Sequence, residues 1–210
     1  MHRLIHFRLC PFSRAVRLVL SETKLEVQLV DDRPWEPSQE LLALNPSGEL
    51  PVLQVADGAT VCGSYAISEF IAEELALRPR NGEPVEASNA PLFPGDRQDR
   101  AETRRLIDWF HRKFDAEVTA PMLEEKVYSR FRNRQGPGPD AELLRQVRRS
   151  LKYHLSYIDY LTDQRSWLAG EELSFADLTA AGHLSVADYL GEVDWVEGSP
   201  SKIWYAKLKS

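Results

Sequence analysis

The feature that most constrains the fold is a Cys-Pro-Phe-Ser motif between a short apolar run and a helical pattern. The apolar run covers residues 4–7, and the helix that starts at Ser13 is predicted to reach about Thr23. A thiol at a strand-to-helix junction lies among outward-pointing backbone N–H groups, at the positive end of a helix dipole. That position favours anions and lowers the pKa of a thiol, so Cys10 is a candidate nucleophile.

The first part of the chain predicts a small α/β unit. Residues 25–30 alternate apolar and polar side chains, which is the strand period, so the chain opens β-α-β with a parallel strand pair. Asp57-Gly58 predicts a hairpin turn, and Ser64 is a natural N-cap whose helix could meet a carboxylate. The predicted elements are strands over residues 4–7, 25–30, 52–55 and 60–62 and helices over residues 13–23, 39–44 and 64–75.

The chain divides into two predicted domains joined by a linker. Residues 1–77 form the α/β unit, and residues 78–98 lack periodicity and are rich in proline, glycine and charge. Residues 99–210 follow helical periodicity. The predicted helices there cover residues 106–118, 121–132, 140–161 and 178–190. The last of these is almost entirely apolar or small, so it is predicted to form the buried centre, behind a capping box of Ser174 and Asp177.

These motifs together resemble the glutathione transferase superfamily. The matching stretches are Cys-Pro-Phe-Ser at residues 10–13, Asn-Pro-Ser-Gly-Glu-Leu-Pro-Val-Leu at residues 45–53 and Ser-Tyr-Ala-Ile at residues 64–67. They occur in the order and spacing of that superfamily. The end of the linker and the Ser-x-x-Asp box resemble superfamily segments as well. The resemblance implies a thioredoxin-like N-terminal domain, an all-α C-terminal domain and a homodimer.

The resemblance also implies a glutathione site. Cys10 would be the thiolate that forms a mixed disulfide, and Ser13 the hydroxyl that bonds the glutathione thiolate in serine-type relatives. Leu50 and Pro51, with Pro51 cis, would pair with the cysteinyl part of glutathione, and Ser64 would hold the γ-glutamyl carboxylate. Structural roles compete with these: Cys10 as an unused buried thiol, Ser13 as a helix cap and Pro51 as a purely architectural proline.

One position departs from the superfamily pattern. The residue before Ser64 is normally glutamate or glutamine, and here it is Gly63, which has no side chain to offer a ligand. The loss of one hydrogen bond to a charged group costs about 1.5–3 kcal/mol, or about one to two decades of affinity. Glutathione is therefore predicted to bind weakly, and no cofactor is required.

Two surfaces are candidates for partner binding. Trp35 lies on a proline-flanked loop, where an exposed aromatic ring would order at low entropic cost. The alternative for Trp35 is a lid packed on the domain interface. Arg130, Arg132 and Arg134 form a basic group, continued by further arginines at positions 145, 148 and 149. Such a group is either a solvated helix face or a docking surface for an acidic partner.

The remaining reactive side chains predict no further site. Cys62 is interpreted as a small core residue in a strand, with redox pairing to Cys10 as the alternative. The five histidines show no ligand spacing and are interpreted as structural or solvated; they are His2, His6, His111, His154 and His183. No metal site is predicted.

Two functions of different classes remain open at this point. Cys10 favours a glutathione-dependent thiol transferase or reductase, whereas Gly63 and the Trp35 loop favour a binding protein on the same fold. Stretches around residues 33–46 and 109–119 are similar to a family of glutathione-transferase-like cell-division proteins of alphaproteobacteria. That family binds filaments of FtsZ, the tubulin-like division protein. This resemblance implies a homodimeric FtsZ-binding regulator of division with little or no catalysis.

Composition bounds the compartment and the partners. The net charge of −6 argues against nucleic acid or an anionic membrane as the main partner. Two cysteines without metal-like spacing suggest a reducing cytosol, and the polar N-terminus predicts no signal peptide. We therefore expect a cytoplasmic protein, placed at the division site by the second resemblance. Superfamily members commonly run on past the segment that ends at Ser210, which implies a further C-terminal tail.

Overall fold

A four-stranded mixed sheet organises the N-terminal part of the computed structural model, which describes residues 1–76, 92–136 and 138–209. The strands are β1 (His2–His6), β2 (Val27–Asp31), β3 (Val52–Gln54) and β4 (Thr60–Cys62), in the order β2-β1-β3-β4. β1 and β2 are parallel, as predicted, while β3 pairs antiparallel with both β1 and β4. The hairpin predicted at Asp57-Gly58 is confirmed.

Three helices complete this thioredoxin-like unit. They are α1 (Pro11–Glu22), α2 (Gln39–Leu44) and α3 (Ser64–Ala76). α1 begins at a proline because that residue needs no N–H partner in the first turn. Its buried face carries Ala15, Val16 and Val19 into the main core. The predicted N-cap at Ser64 is wrong by one residue: Gly63 precedes the helix, and its carbonyl accepts from the N–H of Ile67.

The predicted linker of residues 78–98 lies largely outside the described residues. The end of the linker that the structure describes contains Phe93, which is buried against Phe175 of the helical domain. Helix α4 begins at Arg97, two residues before the predicted domain start, because Asp96 and Asp99 form a capping box there.

One continuous helical rod replaces the two helices predicted over residues 106–118 and 121–132. Its segments are α4 (Arg97–Asp108), a π-helical stretch (Trp109–Thr119), α5 (Ala120–Leu123), a second π-helical stretch (Glu124–Tyr128) and α6 (Ser129–Arg132). Pro121 does not break the rod, because it lies where hydrogen bonding changes from the π to the α pattern. Such π segments are rare and often occur at functional sites.

The rest of the helical part packs around one buried helix. The elements are α7 (Ala141–Gln164), α8 (Phe175–Tyr189) and α9 (Pro200–Lys209). Asp140 caps α7 by accepting from two first-turn N–H groups, as predicted. The predicted Ser174–Asp177 capping box and the central position of α8 are confirmed. Among the described residues, no helix combines the length and the apolar character needed to cross a membrane.

Candidate functional site

A cleft of about 870 Å³ lies between the thioredoxin-like unit and the helical rod. Its walls come from the start of α1, the loop before β3, the start of α3 and the helical rod between its first and second π-helical stretches. The cleft therefore brings together most of the residues that the sequence predicts for a ligand site. They are Cys10, Leu50 and Ser64, together with Gly63 and Cys62, and they face His111, Asp115 and Tyr128.

Cys10 caps α1 but is not an exposed thiolate. Its Sγ accepts from the N–H of Ser13 at 3.5 Å and lies 3.8 Å from the carbonyl oxygen of Leu50. A carbonyl can only accept, so this contact needs the protonated thiol. Burial raises the pKa of Cys10, and the hydrogen bonds from Ser13 offset this only in part. The predicted lowering of the pKa by the helix terminus is therefore wrong, because Cys10 is only 6% exposed.

We expect Cys10 to react slowly with iodoacetamide near neutral pH. The reason is its raised pKa, which leaves little thiolate for alkylation. The alkylation rate of a Cys62→Ser variant, which leaves Cys10 as the one thiol, should increase about tenfold for each pH unit up to that pKa. A rate that is fast and independent of pH around neutrality would contradict this assignment. The reciprocal Cys10→Ser variant measures the contribution of Cys62.

Ser13 occupies the third position of α1 rather than the cap. Its side chain is fully buried, and Oγ accepts from the N–H of Phe7 at 3.4 Å. The predicted capping role belongs instead to Cys10. Ser13 therefore holds the loop between β1 and α1 closed around the thiol.

The Leu50–Pro51 peptide bond is cis, as the superfamily resemblance implies. The carbonyl of Leu50 faces the Cys10 thiol, and the carbonyl of Pro51 accepts from the N–H of Gly63 at 3.0 Å. This loop therefore connects the thiol to the start of α3.

Gly63 itself has a φ of +88°, which residues with a side chain rarely adopt. The local backbone thus gives a physical reason for glycine at this position.

Ser64 is the first residue of α3, and its hydroxyl is engaged inside the protein. It lies 3.1 Å from Nε2 of His111, which belongs to the first π-helical stretch. Ser64 is only 4% exposed, yet it and the two residues after it, Tyr65 and Ala66, line the cleft. The residue predicted to hold a carboxylate is therefore already bonded to an imidazole.

The contact between Ser64 and His111 continues into a buried polar chain that the sequence analysis missed. Nδ1 of His111 lies 3.0 Å from Nε2 of His183 on α8. Nδ1 of His183 lies 3.0 Å from the Thr119 hydroxyl, which donates to Asp115 Oδ1 at 2.5 Å. A sequence signal existed, since residues 111, 115 and 119 recur every four positions and so share one helix face. We call Ser64, His111, His183, Thr119 and Asp115 the polar chain.

Burial sets the charge state of the polar chain. It lowers the pKa of His111 to about 3 and lowers that of His183 well below its usual value. Burial also raises the pKa of Asp115, and the hydrogen bond from Thr119, which lowers that pKa, has the smaller effect. Both imidazoles are therefore neutral at physiological pH, and each has one donor and one acceptor nitrogen.

Trp35 is half-buried, so the expectation of a free ring on an exposed loop is wrong. Its ring stacks on Phe131 at 4.4 Å between centroids and meets Phe7 edge-on at 5.2 Å. Tyr128 lies at 5.7 Å from the same ring. The alternative of a lid between the two parts of the chain fits these contacts. We call Phe7, Trp35, Tyr128 and Phe131 the aromatic cluster, of which Phe131 is 56% exposed.

The arginine surface divides into paired and unpaired members. Arg132 pairs with Glu124, Arg145 and Arg149 with Glu142, and Arg148 with the buried Glu192. Arg130 and Arg134 are exposed, and neither forms an ion pair within the described part of the chain. The unpaired arginines therefore belong to the same short stretch of chain as Phe131.

Cys62 and His154 have structural contacts. Cys62 is a half-buried strand residue, as predicted, with Sγ 3.7 Å from the carbonyl of Leu44. Both cysteines are free thiols. His154 is fully buried between Trp109 and Glu117. Within residues 1–76, 92–136 and 138–209, no cluster of three histidine, cysteine or acidic side chains is arranged to hold a metal ion.

Comparison with known proteins places these features in a family context. Residues 9–74 match the family described as glutathione S-transferase, N-terminal domain, and residues 119–196 match glutathione S-transferase, C-terminal domain. FtsZ-localized protein A of Caulobacter vibrioides is 45% identical over 99% of this chain and 86% of its own length.

Two solved structures extend this likeness to the fold. FzlA from C. crescentus superposes with a TM-score of 0.87 at 43% identity, covering all of this chain and 88% of that one. A glutathione S-transferase from Rhodospirillum rubrum gives a TM-score of 0.88 at 41% identity, with the same coverage.

Proposed function

The chain belongs to the glutathione S-transferase family, and from this premise we propose that it regulates bacterial cell division by binding FtsZ filaments. The proposal includes a homodimer in the cytoplasm that gathers at the division site, with little or no catalysis. The observation that carries it is the 45% identity to FtsZ-localized protein A, which extends over 99% of this chain.

The geometry of the cleft supports the limited role of catalysis. The Cys10 thiol is buried and its pKa is raised, so it is a weak nucleophile near neutral pH. The Ser64 hydroxyl is already bonded to His111, and Gly63 offers a ligand no side chain. The thiol and the Ser64 hydroxyl are therefore engaged inside the protein, and the side chain expected at position 63 is absent.

The surface beside the aromatic cluster supports a binding role. The exposed Phe131 ring covers Trp35, and the unpaired Arg130 and Arg134 lie one residue before it and three residues after it in the chain. An aromatic anchor beside arginines is typical of interface hot spots. Arg132 contributes less free charge, since Glu124 neutralises it. We propose this surface as the contact with FtsZ, in place of the wider arginine surface.

We expect the purified protein to pellet with FtsZ polymers in the absence of glutathione. The double variant Arg130→Ala/Arg134→Ala should bind about tenfold more weakly, because it removes the unpaired charges from the contact. The matched control is Arg145→Ala, which removes an exposed arginine that already pairs with Glu142. The measurement is co-sedimentation over a range of FtsZ concentrations.

The same assay includes the outcomes that would contradict the proposal. No FtsZ-dependent pelleting of the wild-type protein would exclude the binding function. Equal losses for the double variant and for Arg145→Ala would place the contact elsewhere. A Phe131→Ala variant then tests the aromatic part of the surface separately, since it removes the exposed ring and leaves both arginines in place.

A glutathione-dependent thiol transferase that uses Cys10 is the second candidate. The observation that favours it is the cleft itself, which places Cys10, the cis Leu50–Pro51 bond and Ser64 around one ligand-sized space. A glutathione column run beside the FtsZ assay discriminates the two functions. Micromolar glutathione affinity by calorimetry, with thiol transfer abolished in Cys10→Ser, would establish the enzyme.

A further inference from the structure

A second groove, of about 440 Å³, lies between α1, α8 and α9 and shares no lining residue with the cleft. A volume of this size is within the range of sites that bind small molecules. The polar part of its lining carries three cationic side chains and two hydroxyl groups. These residues are Arg14, Arg17, Ser21, Ser185 and Lys209. We call this space the basic groove.

Arg14 is half-buried in the basic groove without an acidic partner. Its Nε donates to the carbonyl oxygen of Arg8 at 2.8 Å, and its Nη1 donates to the Ser185 hydroxyl at 2.8 Å. Both acceptors are uncharged, so these two bonds orient the guanidinium group but leave its charge unbalanced. Burial lowers the pKa of Arg14, and the charge of Arg17 lowers it further.

Arg17 follows Arg14 by three positions on α1, so the two side chains share one face of the helix. Within the part of the chain that the structure describes, Arg17 forms no hydrogen bond or ion pair. Burial lowers the pKa of His6 on β1, and the charge of Arg17 again adds to this effect. All five N–H donors of the Arg17 guanidinium are therefore available to a ligand.

The acidic side chains that interact with neighbouring cations leave both arginines unbalanced. Asp188 accepts from Lys209 at 2.9 Å, and Asp31 pairs with Arg8 at 3.5 Å. Among the described residues that line the basic groove, none is acidic. Two adjacent positive charges thus remain uncompensated in a chain whose net charge is −6. Like charges held together in a half-buried site repel each other, so an anion bound between them is stabilised.

We propose that the basic groove binds a phosphate monoester, with the phosphate between Arg14 and Arg17. A phosphate group carries about 1.5–2 negative charges at pH 7 and three strong acceptor oxygens. It therefore matches two unbalanced guanidinium groups better than one carboxylate does, and the planar forks of arginine bind such oxygens in pairs. The organic part of the ligand packs on the apolar lining, which includes Leu18, Tyr205 and Leu208.

Phenyl phosphate is the probe for this site, and titration calorimetry with the whole chain is the measurement. We expect saturable binding of one ligand per chain, and the dissociation constant should rise with NaCl because the contacts join charges. Phenyl sulfate has the same ring but a single negative charge, so it should bind about tenfold more weakly. Equal affinity for the two probes, or no saturable binding of phenyl phosphate, would overturn the proposal.

Arg17→Gln removes one of the two unbalanced charges without breaking a contact among the described residues. It should weaken the binding of phenyl phosphate by about tenfold. The matched control is Arg145→Gln, which removes the same charge from an exposed position on α7 and should bind as the wild type does. Equal losses for Arg17→Gln and Arg145→Gln would overturn the assignment of the site.

Ser21→Glu tests the same site by occupying it from within the chain. Ser21 is exposed, lines the basic groove and follows Arg17 by one helical turn. A carboxylate at that position neutralises part of the unbalanced charge, so binding of phenyl phosphate should be abolished. Wild-type affinity in Ser21→Glu would place the phosphate elsewhere and overturn the proposal.

Three further measurements identify the location of the site and the source of the phosphate. Glutathione should not compete with phenyl phosphate, and competition would place the probe in the cleft. The variant Arg130→Ala/Arg134→Ala should bind phenyl phosphate as the wild type does, so failure here is distinct from failure of FtsZ binding. Vesicles with phosphatidic acid present a phosphate monoester on a membrane. Arg17-dependent pelleting with these vesicles, without binding of phenyl phosphate, would overturn the assignment to a small molecule.

Discussion

Replacement of Asp177 by alanine should lower the free energy of unfolding by about 4 kcal/mol, because it leaves several buried donors without an acceptor. Oδ1 accepts from the N–H of Leu168 at 2.8 Å and from Trp204 Nε1 at 3.0 Å. Oδ2 accepts from both the N–H and the hydroxyl of Ser174. One carboxylate thus joins α8, α9 and the loop before them. The measurement is urea unfolding followed by tryptophan fluorescence.

The control for this prediction is an aspartate without such contacts. Asp163 is exposed at the end of α7, and Asp163→Ala should change stability by less than about 0.5 kcal/mol. Asp177→Asn should fall between the two, since its oxygen can still accept from Leu168 and Trp204. Its NH₂ group then faces the N–H of Ser174. Equal stability of the two alanine variants would show that the Asp177 contacts contribute little.

The elements predicted best are those whose signals are local. The Ser174–Asp177 box and the Asp140 cap depend on residues within one helical turn, so sequence alone identifies them. The Asp57-Gly58 hairpin has the same origin. The burial of α8 follows from its composition, because a helix that is apolar all round must be covered on every side.

Contacts between distant segments account for what the sequence did not predict. Trp35 is predicted as exposed because the residues that cover it, Phe7 and Phe131, are far from it in the sequence. Cys10 has the helix-terminal position that lowers a thiol pKa, but burial reverses the sign. Local pattern gives the position of a side chain along an element, whereas its exposure depends on the whole fold.

The polar chain could be predicted only in part, because it depends on a local pattern and on contacts between distant segments. Residues 111, 115 and 119 share a face at helical spacing, but His183 and Ser64 reach them from two other elements. Apolar periodicity also does not distinguish an α-helix from a π-helix, since both place residues about four apart on one side. The histidines were therefore predicted as structural. Their burial is consistent with that interpretation, and their hydrogen bonds join side chains from three different elements.

Gly182→Ala should destabilise the protein by about 3 kcal/mol, because α8 and α1 touch backbone to backbone at that point. A β-carbon at Gly182 would lie 2.8 Å from the N of Ala15 and 2.9 Å from the carbonyl oxygen of Pro11. Neither atom belongs to a side chain that can rotate away, so the two helices must separate. The measurement is the free energy of unfolding from urea titrations.

Helix propensity predicts the opposite sign, which makes this variant decisive. Alanine is favoured over glycine inside a helix by about 1 kcal/mol, so a gain in stability would mean that the close approach of α1 and α8 is absent. Gly170→Ala is the matched control, since nothing lies within 4 Å of the added carbon. Separation of the helices also acts on the cleft, because α1 carries Cys10 and α8 carries His183. We therefore expect Cys10 to alkylate faster in Gly182→Ala than in Gly170→Ala.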